Sequence, residues 1–409
     1  MNRDHKIKLF SVFLVSLFYL LLIYIYVNQL FLISVDSIFP GFGDIMPLTK
    51  CAECLKNNVN PYTSFSDSTS IFCNYPRFTF VFLNFFGINE HNFIFFSFIL
   101  TFLFLVFTIY LVYSYSPRNV VISSIFLMSP PIILLLERSN LDLFIFLLLL
   151  LVFYYFRKTS SNVLTIYITY FIVLLVSLLK FYPIVLFFIV FFEEILSKKS
   201  KIIIFITGGF LFSFYNFLHL DDFKYIFSKL PEPTELAFGR KVFLQEFIPL
   251  KYINVLSLIP FLSFIVLIFY YDNIKKKTNH FEKNNFTSSN GILFLVGASI
   301  YLFSFIFSNS YDYRLVFLFL TFPYFFENRN EKIFKRVNYF YVVTVILFCS
   351  SLHRYFIPFQ NYNQWFVGRN FLVLLKYILT TFLASYFLYC ILILINDYFK
   401  IFKRKQNSA

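Results

Sequence analysis

Runs of apolar residues, several of them short of the length a helix needs to cross a bilayer, recur along the whole chain with mostly short polar segments between them. A helix satisfies its own backbone hydrogen bonds in lipid, and about 20 apolar residues span a hydrocarbon core roughly 30 Å thick. Such runs are read at 9–33, 92–113, 119–136, 141–156, 163–179, 182–196, 202–218, 252–271, 291–308, 315–326, 337–352 and 370–398. The expected fold is therefore an all-α, polytopic transmembrane helical bundle of about twelve spans. Composition agrees, because 59% of the 409 residues are hydrophobic, 66 are Phe, and only 14% are charged. No polar linker divides the chain, so 1–409 reads as a single integral membrane domain. Pro130 and Pro131 are expected to kink the third span and Pro323 the tenth, since proline removes a helical N–H.

Lys and Arg test the topology independently, because they concentrate in short cytoplasmic loops. With the N-terminus inside, the inner segments carry Lys198/Lys199/Lys201, Lys275/Lys276/Lys277 and Lys403/Arg404/Lys405. Both termini are then cytoplasmic, and the first span reads as an uncleaved signal anchor. The expected location is a multi-pass protein of a cytoplasmic membrane of bacterial type. This arrangement also accounts for the formal charge of +14. Basic residues beside membrane helices meet anionic lipid headgroups, so membrane lipids are the expected partners and nucleic acid is not.

Two expected outer loops, 34–90 and 219–251, are too long to be plain connectors. In the first, Arg77–Gly87 is too short to cross and reads as an interfacial or re-entrant helix, and Pro47–Asn58 as a second short helix with Leu48 and Leu55 on one face. Cys51, Cys54 and Cys73 lie in this loop, where an oxidising exterior permits one disulfide and leaves one thiol over. Zinc at Cys51-x-x-Cys54 lacks a complete ligand set, and unpaired thiols are the remaining alternative. No Gly-rich phosphate loop, His-rich metal motif or serine nucleophile elbow is present, so no metal and no cofactor are expected. Asn285-Phe286-Thr287 has the form of a glycosylation acceptor but falls in an expected cytoplasmic loop.

Ionisable residues gather at the expected outer ends of the spans: Asp44, Arg77, Glu137, Arg138, Asp142, Lys180, Asp312, Arg314, His353 and Arg354. Within the apolar core there is little apart from Lys376. Transport usually needs polar sites near the midplane, so this distribution favours chemistry at the outer interface. Asp44 followed by a short helix, then Asn60-Pro61-Tyr62, Tyr75-Pro76, Glu137-Arg138-Ser139-Asn140-Leu141-Asp142, Lys180-Phe181-Tyr182-Pro183 and Tyr311-Asp312-Tyr313-Arg314-Leu315, resembles polyprenyl-phosphate-sugar-dependent glycosyltransferases of the GT-C fold. The closest likeness is to the family 87 type. Such proteins often read Tyr-Pro-Pro where this chain has Tyr75-Pro76-Arg77, a departure that bears on donor or acceptor preference.

The resemblance implies transfer of a hexose or pentose from a polyprenyl-phosphate carrier to a hydroxyl of a lipid- or glycan-linked acceptor on the outer face, with inversion at the anomeric carbon. Asp44 is the expected catalytic base, on a turn given by Gly41-Phe42-Gly43. The plainer reading makes it a helix cap or a solvated loop residue. Arg314, Lys180 and Arg138 are the candidates for the donor phosphate, against simple snorkelling to the interface. Asn60, Tyr62, Tyr75, Arg77, Asp142 and Asp312 complete the candidate substrate site. Asn60-Pro61-Tyr62 and Tyr75-Pro76 also suit an architectural role, and Glu137 and Asp142 could pair with the cations. His219, Asp221 and Asp222 could touch the acceptor, but a solvated charge run is the plainer reading. The competing functions are a transporter or lipid-linked oligosaccharide flippase without catalysis, which predicts two related halves, and a polymerase of O-antigen type, which places its large outer loop late in the chain.

Overall fold

The computed structural model describes residues 3–27, 44–63, 73–159, 162–228, 237–241, 250–275, 288–307, 310–327, 343, 346, 373–393 and 395. Nearly all of them are helical. The one strand pairing among the described residues is a two-residue antiparallel ladder, Ala237–Phe238 against Ser310–Tyr311. Among the described residues, four helices are long and apolar enough to cross a membrane: Phe93–Tyr113, Lys198–Leu218, Ser289–Phe307 and Val373–Ile393. A fifth is added if the bent pair Pro117–Leu127 and Pro130–Arg138 is one span. Shorter apolar helices occupy Leu141–Phe156, Val163–Leu179, Tyr182–Phe192 and Leu258–Tyr270. The expected run 337–352 lies outside the described residues except for 343 and 346.

Contacts divide the chain into two compact units, one of Met1–Phe191 with Ile195–Glu232 and the other of Phe192–Glu194 with Pro233–Ala409. The first unit opens with α1 (Arg3–Val27), α2 (Ile45–Lys56), α3 (Arg77–Phe85), α4 (Phe93–Tyr113), α5 (Pro117–Leu127), α6 (Pro130–Arg138) and α7 (Leu141–Leu150). α1 packs on α5, where the buried Tyr19 hydroxyl donates to the Leu127 carbonyl at 2.8 Å. Between α5 and α6 the axis turns by 52°, and the cause is local. A proline disfavours helical geometry in the residue before it. Ser129 is accordingly extended (φ −78°, ψ 154°), and Pro130 starts a new helix. The kink expected at Pro130 and Pro131 is therefore present.

α2 and α3 pack against each other, and α2 buries Ile45, Leu48, Cys51 and Ala52 in a cluster with Phe80 and Leu83 of α3, Leu141 of α7 and Leu179. Leu55 is partly buried against the same cluster, on the face expected from the sequence. Cys51 is disulfide-bonded to Cys73, which leaves Cys54 as the thiol over. Asn58 closes α2 in the left-handed region (φ 57°), which lets the Val59 N–H reach the Cys54 carbonyl and the Asn58 N–H reach that of Leu55. Large apolar side chains also cover the outside of the unit, among them Phe95, Phe102 and Tyr110 of α4, at least 64% exposed. Apolar surface on this scale is stable against lipid and not against water.

In the second unit Ser289–Phe307 is mostly enclosed. It packs on Asp312–Thr321, a 3-10 helix that changes to α-helix at Phe322, next to Pro323. Tyr301 donates to the Thr380 carbonyl at 3.0 Å, and Ser385 to that of Phe261 at 3.0 Å. Gly297 permits the close approach: a Cβ there would stand 2.6 Å from the Phe317 carbonyl oxygen. At Gly209, by contrast, nothing lies within 4 Å of an added Cβ. Gly297→Ala should lower the melting point of detergent-solubilised protein by the equivalent of about 1–3 kcal/mol, the usual cost of overpacking. Gly209→Ala should be neutral or stabilising by up to about 1 kcal/mol, from helix propensity alone.

Candidate functional site

The site is built around a tight corner. α6 ends at Arg138 and α7 begins at Leu141, so two residues reverse the chain. Ser139 makes the turn in left-handed geometry (φ 45°, ψ 45°), a conformation that costs an L-residue roughly 1 kcal/mol. Its N–H is retained by the Leu136 carbonyl. Asn140 then caps α7, its Oδ1 accepting the Asp142 N–H at 3.0 Å.

Asp44 meets this corner from the first loop. It directly precedes α2, yet its side chain makes no cap hydrogen bond there. Instead Arg138 Nη1 donates to Oδ1 at 2.8 Å, Asn140 Nδ2 donates to Oδ2 at 2.5 Å, and the Asp44 N–H donates to the Arg138 carbonyl at 3.1 Å. The carboxylate is thus gripped at both oxygens and through the main chain. Arg138 and Asp44 remain in touch with solvent, their side chains 31% and 17% exposed. The preceding turn residues Gly41, Phe42 and Gly43 lie outside the described residues.

Behind Asn140 lies a dry layer. Lys180 ends the Val163–Leu179 helix, and its ammonium donates to Asn140 Oδ1 at 2.7 Å and to Asp142 Oδ1 at 2.8 Å. Asp142 is fully buried, and the Tyr182 hydroxyl donates to the same oxygen at 2.8 Å. The Lys180 ammonium also stands 5.0 Å from the centre of the Tyr75 ring, whose hydroxyl is 3.4 Å from Asn140 Nδ2. Asp44, Arg138, Asp142, Lys180 and Tyr75, all singled out in the sequence, therefore meet in one network. Asn140 and Tyr182 join it, and neither was in the candidate set. The signal for Asn140 was its place before the apolar run of α7, but that pattern reads as a cap and nothing more.

Other candidates stand elsewhere. Tyr62 is buried, its hydroxyl donating to the Tyr75 carbonyl at 3.0 Å and its N–H to Asn60 Oδ1 at 2.9 Å, so the Asn-Pro-Tyr segment sets the path of the loop. Burial pushes the Tyr62 hydroxyl well above its ordinary pKa. Arg77 forms an ion pair with Asp222 at 3.6 Å, and His219 faces the same carboxylate at 3.7 Å. Burial pushes the Asp222 carboxyl up, with Arg77 and His219 opposing. Asp221 is solvated, at 99% exposure. Cys54 is raised mainly by burial and further by Glu53, which makes it a weak nucleophile.

Asp312 and Arg314 belong to the second unit. There Asp312 is buried and accepts from the buried Lys376 ammonium at 2.7 Å, so this lysine has its counter-ion. Arg314 lies half-buried at the start of the same helix. Among the described residues no group of His, Cys, Asp and Glu could hold a metal ion. Comparison with known proteins returns no matching family model, no matching curated protein and no matching solved structure.

Removing one member of a buried ion pair strands the other, at a typical cost of about 3–5 kcal/mol. Lys180→Met should therefore destabilise the solubilised protein by that amount. The double variant Lys180→Met/Asp142→Asn should regain at least about half of the loss, because no unpaired charge is left. Thermal unfolding of the three proteins side by side measures both effects.

Proposed function

We propose that the protein transfers a sugar from a polyprenyl-phosphate carrier to an acceptor hydroxyl at the outer membrane surface, in a chain that crosses the bilayer about twelve times with both termini cytoplasmic. The observation that carries this reading is the convergence of Asp44, Tyr75, Arg138 and Lys180, drawn from four separate segments, on a single hydrogen-bonded cluster. Those are segments on which the resemblance to family 87 of the GT-C glycosyltransferases rests. Helix in the described parts of the apolar runs supports the span count.

In this reading Asp44 takes the proton of the acceptor hydroxyl as its oxygen bonds to the anomeric carbon. The bond from that carbon to the carrier phosphate breaks, and the electron pair leaves with the phosphate. Each Asp44 oxygen accepts one hydrogen bond in the cluster, and an ionised carboxylate oxygen has a second lone pair for the incoming proton. Arg138, half-exposed beside the carboxylate, is the cation placed to meet the phosphate. Lys180 is enclosed with Asp142 and acts on the reaction through the geometry it imposes. Arg314 keeps the role on the carrier phosphate that the resemblance implies. Glycolipids and glycans are the acceptor classes.

A transporter is the second reading, and the buried Asp312–Lys376 pair favours it, since ionisable pairs within membrane helices often line transport paths. The two separate in a single assay. Purified protein in detergent, given a short-chain polyprenyl-phosphate hexose and a panel of glycolipid acceptors, should release polyprenyl phosphate and form a glycosidic product. A transporter does neither.

Asp44→Asn should reduce turnover at least about a hundredfold with donor binding retained, as for a positioned base. Arg314→Lys should weaken donor binding, and Arg314→Ala should weaken it further, because lysine cannot reproduce the planar fork of donors. Normal turnover in Asp44→Asn would remove that residue from the mechanism. For topology, single cysteines at Ser66 and Thr234 should react with an impermeant reagent in spheroplasts, while one at Thr278 should be protected. Labelling of Thr278 alone would invert the orientation.

A further inference from the structure

Asn140 occupies an unusual position for a helix cap. Its side chain makes three contacts besides the neighbouring Tyr75 hydroxyl, and their chemistry decides which way the amide faces. Oδ1 receives the Lys180 ammonium at 2.7 Å and the Asp142 N–H at 3.0 Å. Both partners are donors only, so the atom between them must be the oxygen. The amide nitrogen is thereby turned to Asp44, where it donates to Oδ2 at 2.5 Å. A flipped amide would set its N–H groups against an ammonium and a backbone N–H, and its oxygen against a carboxylate. All three contacts would become repulsive. The orientation is locked by buried groups, with the Lys180 side chain 6% and the Asp142 side chain 0% exposed.

We infer that Asn140 is a positioning residue for Asp44: its locked amide N–H holds Oδ2 in place, with Lys180 acting as the lock. This rests on the reading of Asp44 as the base and adds the means by which that base is aimed. Arg138 holds the other oxygen, so the two donors fix the carboxylate plane. Among the described residues, the charged and titratable groups of the network around it are Arg138 from α6, Asp142 from α7, Lys180, Tyr182, and Tyr75 from the first loop. Asn140 is the neutral member that joins the two ion pairs, Asp44–Arg138 and Asp142–Lys180.

The lock is separable from the cap. Asp is as good a helix cap as Asn, and Asn140→Asp keeps an oxygen for both Lys180 and the Asp142 N–H. It loses the N–H toward Asp44 and sets a second carboxylate against the first, so the pair must share a proton. Asn140→Ser also keeps the cap, but its hydroxyl is too short to reach Asp44. A water-soluble carbodiimide with an amine nucleophile activates protonated carboxyl groups, and mass spectrometry of the peptide bearing Asp44 reads the rate without any sugar substrate. At pH 6, Asp44 should be modified at least about tenfold faster in Asn140→Asp than in the native protein, and roughly threefold faster in Asn140→Ser, from loss of a charge-assisted hydrogen bond.

Both variants should melt close to the native protein. Native rates in both would show that Asn140 only caps α7 and would overturn the inference. So would failure of Asn140→Ser to fold, which would make the residue structural. The chemistry is judged separately: faster modification in the variants together with normal turnover in Asp44→Asn sustains the lock and removes the base.

Discussion

The arrangement depends on one ammonium group held out of water. A buried lysine remains charged only where carboxylates and dipoles replace its hydration. Lys180 finds that replacement in Asp142 and Asn140, both at the start of α7. Its own helix ends at Leu179, so the pair ties the end of one helix to the beginning of another. From there constraint passes outward: the ammonium orients Asn140, Asn140 meets Asp44, and Asp44 directly precedes α2. Weakening that pair would loosen the corner at Ser139 and the first loop together.

Apolar packing holds the loop from the other side. The cluster of Ile45, Leu48, Phe80 and Leu83 seats α2 on α3, and Thr79 hydrogen-bonds the Leu179 carbonyl at 2.8 Å. That carbonyl belongs to the residue before Lys180, so polar and apolar parts of the loop converge on the same helix end. Tight helices extend what short apolar runs can reach. The 11 residues of Tyr182–Phe192 form a 3-10 helix, which at about 2.0 Å per residue covers roughly 22 Å, against roughly 16 Å for an α-helix of that length.

Much of this was legible in the sequence where a single local rule decides. The run 163–179 coincides with the helix Val163–Leu179, since apolar length alone defines it, and the bend at Pro130 follows from one restricted dihedral. The two short helices of the first loop were readable from length and turn residues. Partner choice was not. Three cysteines allow three pairings, and only the packing of α2 on α3 brings Cys51 to Cys73. That Arg138 pairs with Asp44 was not legible, because charge type predicts what a group can bind and not what lies beside it. Asp312 and Lys376 were each noticed, but their union across 64 residues is tertiary. Asn140 was hidden by its local role, which is complete without the second task.

The Cys51–Cys73 bond bears on how the protein is made. Such a bond forms where thiols are oxidised, and the cytosol in which chains are synthesised keeps them reduced. Asp44 lies seven residues before Cys51, joined to it by the first turns of α2. The helices can insert and pack as they emerge, but the segment bearing the carboxylate is cross-linked only after delivery to an oxidising compartment. Chains held in a reducing compartment would therefore carry packed helices with the first loop not cross-linked.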